Sequence, residues 1–254
     1  MQDVLYQVVD RVATITINRP QVYNAFRLKT IDELIQCFDR ADDDPNVRVV
    51  ILTGVGDKAF STGGDVEMEN EFDGNAGRHV GRVLIRLAEA MRGTGKPVIA
   101  KIRGWCVGGG NELALLCDLA VATKGSRFAH TDAKLGNSPI WYATQLMPLH
   151  MSDKRAREVI MLGKTYSAAD AERFGWINEV VEDDQLDATV QDWCTRLLGS
   201  SPQSLRLTKI SMNQASDMML HSVRQGFETL SYIHETDEFH EGTAAFLEKR
   251  SPRF

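Results

Sequence analysis

The chain opens with two apolar runs, Val4 to Val9 and Val12 to Ile17, separated by Asp10-Arg11. In the second run Val12, Thr14 and Thr16 alternate with Ala13, Ile15 and Ile17, the period of a strand, so the pattern predicts two strands joined by a turn. Asn18-Arg19-Pro20 interrupts it. The period then lengthens. Leu28, Ile31, Leu34, Ile35 and Phe38 recur at helical spacing, predicting a helix from about Leu28 to Ala41 that Asp42-Asp43-Asp44-Pro45 ends. Val47 to Thr53 is a short, nearly continuous β-branched run, as expected of a strand covered on both faces.

The same succession repeats. A Gly-rich loop, Gly54 to Gly64, leads through a polar segment to a helix from about Ala76 to Met91. Strand Pro97 to Ile102 is followed by loop Gly104 to Gly110 and helix Asn111 to Cys117, then by strands Leu119 to Thr123 and Arg127 to Ala129. Alternation on this scale implies parallel, right-handed βαβ connections. From Asp153 the pattern is almost wholly helical: Asp153 to Leu162, Ala168 to Phe174, Asp184 to Leu198 and Pro202 to Phe239, with one strand signal at Ile177 to Val181. The reading is an α/β core followed by a helical part, without a flexible linker, low-complexity segment or short-period repeat.

Composition narrows the function classes. With 254 residues the chain can bury a large core without disulfide or metal support. A formal charge of −6 argues against nucleic-acid binding, which calls for a basic excess or stripe. No stretch approaches the roughly 20 apolar residues of a membrane span. The start, Met-Gln-Asp-Val-Leu-Tyr, has no basic or Arg/Ser-rich leader pattern, which gives cytoplasmic as the expected location. Cys37, Cys106, Cys117 and Cys194 lie too far apart for a zinc-ligand pattern, so free buried thiols and no metal are expected.

Two loops carry the candidate chemistry: Ala59-Phe60-Ser61-Thr62-Gly63-Gly64-Asp65 and Val107-Gly108-Gly109-Gly110-Asn111-Glu112-Leu113-Ala114. Each follows a strand and precedes a helix, so main-chain N–H groups there can converge on an anion or a carbonyl oxygen. A single such loop reads equally well as a tight strand–helix turn. Neither has the spacing of a dinucleotide loop nor the Lys-Ser/Thr of a P-loop.

Taken with their surroundings, the loops resemble the crotonase (enoyl-CoA hydratase/isomerase) family from about Val12 to Phe254. Asn18-Arg19-Pro20 with Asn24-Ala25 is similar to its N-terminal motif, and the two glycine loops to its two oxyanion loops. Lys96-Pro97-Val98-Ile99-Ala100, Cys117-Asp118-Leu119-Ala120, Tyr166-Ser167-Ala168, Gly175-Trp176-Ile177-Asn178-Glu179 and the ending Phe246-Leu247-Glu248-Lys249-Arg250 continue the likeness in order. The resemblance implies a spiral of repeated ββα units over residues 1–195. A C-terminal helical region, 196–254, would cover the coenzyme A pocket and pack trimers or hexamers. It further implies an acyl-CoA thioester as substrate, with no cofactor beyond the coenzyme A the substrate carries.

By position, the N–H groups of Gly64 and Gly109 would hold the thioester oxygen as it becomes enolate-like. As main-chain donors they would tolerate any side chain at residue 64 that left room. Ala25, Asp65, Val66, Trp141, Tyr142 and Lys249 occupy substrate-binding positions. Glu112 follows the glycine triplet where the family's hydratases carry one acid. Asp132 stands in the second slot, within Ala129-His130-Thr131-Asp132-Ala133-Lys134-Leu135-Gly136, where a longer Glu is usual. Read without the resemblance, Glu112 is an acid in a first helical turn, and Asp132 a turn residue or a partner for Lys134. His130 alone carries no assignment.

Two carboxyls flanking a bound water can activate it at C3 and protonate C2, so the leading expectation is a lyase of the enoyl-CoA hydratase type, as in fatty acid metabolism. Two departures keep alternatives open. Asp is shorter by about 1.5 Å of reach. Ile140, Trp141 and Tyr142 also stand where typical hydratases carry small residues. Gly63-Gly64-Asp65 and Thr131-x-x-Lys134 resemble the branch that opens or closes rings of CoA thioesters, although that branch's own acid in the next loop is absent. Isomerisation, hydrolysis of a β-oxo-acyl-CoA, and a non-catalytic CoA-ester or RNA binder are the competing expectations.

Overall fold

The structure, a computed structural model, describes residues 1–254. Strands β1 (Val4–Val9) and β2 (Val12–Ile17) form an antiparallel hairpin with Val4 opposite Ile17 and Val9 opposite Val12. Asp10 and Arg11 turn it at φ 46° and 69°, the left-handed pair whose twist matches that of the strands. Helix α1 (Leu28–Asp43) follows, and the chain then runs through three related units. The first is β3 (Val49–Gly54), β4 (Ala59–Ser61), α2 (Val66–Glu69) and α3 (Gly74–Gly93). The second is β5 (Val98–Ile102), β6 (Trp105–Val107) and α4 (Gly109–Leu116). The third is β7 (Leu119–Thr123), β8 (Arg127–Ala129), a 3-10 turn Asp132–Leu135 and α5 (Ala143–His150). Next come α6 (Asp153–Leu162), β9 (Thr165–Ser167), α7 (Ala168–Phe174), β10 (Glu179–Val181) and α8 (Leu186–Leu198). Helices α9 (Pro202–Asp217), α10 (Leu220–Ile233) and α11 (Asp237–Leu247) complete the chain.

The first strand of each unit enters one sheet, ordered β1-β2-β3-β5-β7-β10, and the second enters another, ordered β4-β6-β8-β9. All neighbours are parallel except β1–β2 and β8–β9. Stepping one strand sideways in both sheets at each turn makes the path a spiral of ββα units. Gly104 makes one of the corners: its φ is +71°, and a side chain there would strike the Lys58 main chain, to whose carbonyl Trp105 N–H donates at 2.9 Å.

The larger sheet is buried on both faces, which is why β3, β5 and β7 read as continuous apolar runs. Ala13, Ile15, Ile17, Val50, Leu52, Val98 and Ala100 face the main core. Val12, Val49, Ile51, Ile99 and Val121 pack under Leu186, Val190 and Cys194 of α8. All four cysteines are free thiols. No helix is long and apolar enough to cross a membrane.

Where the apolar period suggested one helix from Pro202 to Phe239 there are separate helices. Thr236, in extended conformation, caps α11 by accepting from Phe239 N–H at 3.3 Å, and its acidic first turn carries Asp237 and Glu238. Lys209 of α9 is buried and fixes this part to the core: its ammonium donates to the Met91 and Lys96 carbonyls at 3.1 Å and to Asp118 at 2.8 Å.

Candidate functional site

The N-terminal motif organises the first glycine loop. Asn24 uses its whole amide: it accepts from Arg19 N–H at 3.0 Å and donates to the carbonyls of Val55 and Ala59 at 3.0 and 2.7 Å. The buried Arg19 guanidinium donates to Ala25 O at 2.7 Å and to Asp65 at 2.8 Å. Ser61 Oγ donates to Asn24 O at 2.8 Å and accepts from Gly63 N–H at 3.2 Å. The loop is thereby clamped at both ends.

Gly64 forms a single parallel bridge with Phe26. Phe26 N–H donates to Gly63 O at 2.8 Å and Asp65 N–H donates to Phe26 O at 3.0 Å. A parallel bridge uses the peptides on either side of the bridging residue, so the N–H of Gly64 itself is turned away from the ladder. Gly109 is the first residue of α4, whose opening N–H groups have no partner within the helix. The two loops meet at glycines: Gly63 has φ +90°, and a Cβ on it would lie 2.7 Å from Gly109 N. Only residues without side chains bring the two backbones this close.

Both loops open onto one cavity of about 630 Å³. Its floor is acidic, with Glu69, Glu112 and Asp132, and its walls are apolar, with Val80, Leu84, Trp141 and Phe227. The wall on the α10 and C-terminal side includes Leu230, His234, Phe246 and Lys249. Glu112 is 5% exposed and accepts from Ala143 N–H, at the start of α5, at 3.4 Å. Burial raises its pKa well above the usual carboxylate range, and the nearby charge of Asp132 adds to the shift. The main-chain N–H groups of Ala143 and Trp141 oppose it without reversing it. Asp132 starts the 3-10 turn, and its Oδ2 lies 3.3 Å from Nδ1 of His130. His130 is wholly buried and stacks on Trp176, the ring planes 6° apart.

The sequence profile of the family described as Enoyl-CoA hydratase/isomerase matches residues 8–254. The chain belongs to the enoyl-CoA hydratase/isomerase family. Among solved structures it is similar to an enoyl-CoA hydratase from Mycobacterium avium, with 32% identity, 99% of this chain and 98% of that chain covered, and a TM-score of 0.88. An enoyl-CoA hydratase from Bacillus anthracis is 30% identical over 100% and 99% of the two chains, at a TM-score of 0.82. Another, from Mycobacterium avium subsp. paratuberculosis K-10, is 27% identical over 99% and 98%, at 0.90.

In this member of the enoyl-CoA hydratase/isomerase family the cavity is lined by nearly all the positions singled out in the sequence. They are Ala25, Gly64, Asp65, Val66, Gly109, Glu112, Asp132, Trp141 and Lys249. Tyr142 is the exception. It caps α5 at φ +72°, and its ring lies off the cavity wall, 5.5 Å from the Arg92 guanidinium. Bulk at residues 140–142 is therefore split. Ile140 and Trp141 face the cavity, the latter held by its Nε1–H donating to Leu84 O at 2.9 Å, and Tyr142 packs in the core.

The plain structural readings also separate here. Glu112 is not a solvated helix acid, and Lys134 donates to Gly163 O at 3.0 Å rather than pairing with Asp132. Room at Gly64 is taken: a Cβ there would collide with the Glu69 carboxylate. Glu69 is the group at the site that motif reading passed over; His130, which the sequence left without an assignment, lies 3.3 Å from Asp132. Glu69 lies in Glu67-Met68-Glu69-Asn70, which by composition looks like a solvated stretch.

Proposed function

We infer that this protein is a lyase that adds water to, or removes it from, the C2–C3 bond of an acyl-CoA thioester. One observation carries the reading: main-chain donors free of the local ladders, at Gly64 and Gly109, open onto the same cavity as Glu112 and Asp132. A thioester oxygen seated between the two N–H groups gains most when the carbonyl becomes an enolate, because preorganised dipoles stabilise developing charge without reorganising. Each such donor contributes on the order of 3 kcal/mol to the transition state.

The carboxyl pair supplies the protons. Burial keeps a proton on Glu112, and the nearby charge of Asp132 reinforces it. The Asp132 carboxylate, oriented by His130, takes a proton from water as its oxygen adds to C3, and Glu112 gives its proton to C2. Transfer of the proton from Asp132 to Glu112 restores the pair. Asp132 reaches less far than the usual Glu, and Ile140 and Trp141 narrow the acyl space, which together favour a substrate other than an unbranched alkenoyl chain.

Glu112→Gln tests the assignment, since the amide keeps the shape and loses the transferable proton. With but-2-enoyl-CoA as probe and a panel of branched, cyclic and β-oxo thioesters beside it, kcat should fall about 100-fold or more with KM little changed. If the substitution leaves every thioester reaction untouched, the lyase reading fails. Release of a C–C cleavage product from a β-oxo thioester, without water addition, would favour the hydrolase reading instead.

A further inference from the structure

Glu69 has no structural partner that explains it. It ends α2, the short helix that leaves the first glycine loop, and its N–H closes the turn on Asp65 O at 2.9 Å. Asp65 is itself held by Arg19 at 2.8 Å and accepts from Glu67 N–H at 3.2 Å, so the direction of the helix is fixed from the core. The Glu69 carboxyl is thereby laid against Gly64, occupying the space of the absent Cβ, beside the proposed oxyanion donor and inside the cavity. No hydrogen bond or cation is among the groups acting on it; its charged neighbours are Asp132 and Asp65.

Glu69 is half-buried with its carboxyl in the cavity, and nothing in the fold uses that carboxyl as a cap or an ion pair. Burial and the two negative neighbours push its pKa up to about 8, so near neutrality it is mainly the acid and can donate a hydrogen bond. An unsubstituted alkyl chain offers no acceptor to such a donor. An oxygen on the acyl group does.

We propose that Glu69 determines acyl specificity by hydrogen-bonding a second oxygen of the acyl group, so that hydroxy- or oxo-substituted acyl thioesters are preferred to unsubstituted ones. This oxygen is distinct from the thioester carbonyl and from the water that adds. Because the carboxyl lies against Gly64, the substituent sits on the first few acyl carbons. The inference rests on the thioester-lyase reading and narrows its substrate class. A site that hydrogen-bonds a substrate hydroxyl discriminates strongly against the analogue lacking it, since binding the analogue leaves a buried polar group unpaired.

Calorimetric binding of butanoyl-CoA and 4-hydroxybutanoyl-CoA, which cannot be hydrated, reads the preference without turnover. The intact protein should bind the hydroxy thioester at least about tenfold more tightly. Glu69→Met should bring the two affinities together, and Glu69→Gln, which keeps a donor, should retain part of the difference. The glutamine variant also serves if the methionine one does not fold. Equal affinities in the unsubstituted protein, or a preference that survives Glu69→Met, overturns the proposal. If both thioesters bind equally while Glu112→Gln still abolishes hydration, only the role of Glu69 falls. If neither binds, the lyase reading falls with it.

Discussion

Glu69 is held near pKa 8, against an ordinary 4.5, by burial and by the charges of Asp132 and Asp65. In the unfolded chain it would ionise near the ordinary value, so between the two the folded state binds the extra proton. Its contribution to stability is therefore complete below about pH 4.5 and is lost as pH rises through about 8. Glu112 is shifted in the same direction and by the same main cause. The melting temperature of the ligand-free protein should accordingly fall between pH 5 and 8 more steeply than in Glu69→Gln, which has nothing to titrate there. Parallel melting curves for the two proteins across that range would remove Glu69 from the account. Glu112 and Asp132 could be picked out in the sequence because each stands at a fixed place in a motif. Glu69 could not, because its place at the site comes from a cavity whose far wall is α3 and α10.

The glycine loops work as a packed pair of elements. The chain direction at Gly63, φ +90°, and its approach to Gly109 N both exclude a Cβ, which would sit 2.7 Å from that nitrogen. Gly63→Ala should destabilise the fold by about 1–3 kcal/mol through backbone strain. Any shift of α4 away from Gly64 should also lower kcat more than it raises KM. Urea unfolding together with thioester kinetics would check both, and an alanine variant of unchanged stability and kcat would show that the loops do not depend on this contact. Long elements with a clear period, such as α1, α3, β2 and β7, were readable to within a few residues. Of the three-residue strands β8 was readable as well, but β4, β6 and β9 were not, since none of them carries a period of its own. They become strands by pairing with distant segments, as when Trp105, Cys106 and Val107 align with Arg127, Phe128 and Ala129.

For the molecule as a whole, the C-terminal helices close the cavity from one side and leave apolar side chains outside. Leu207, Ile210, Met212 and Met218 of the α9 region and Tyr232 of α10 are 50–82% exposed. A surface of this kind, on helices already anchored to the core through Lys209, fits burial against further copies of the chain. Sedimentation at micromolar concentration should give about three times the 28.3 kDa of one chain, or a doubling of that trimer. Replacing Ile210 and Met212 by Lys should lower the mass. A monomer in the unaltered protein would contradict the expectation.

By itself the sequence determined the alternation of strands and helices, the two glycine loops and the place of Glu112 and Asp132 beside them. The elements and loops depend on local period and on the spacing of a few residues, which the chain carries without reference to its fold; the places of Glu112 and Asp132 were legible through the resemblance to the family's motifs. Tertiary structure alone decided that each unit divides between two sheets and that Trp141 faces the cavity while Tyr142 turns into the core. It also brought Glu69 and Asp132, far apart in the chain, into one acidic floor. The physical reason is the same in each case: burial, pairing and charge proximity belong to surfaces that exist only after distant segments have packed.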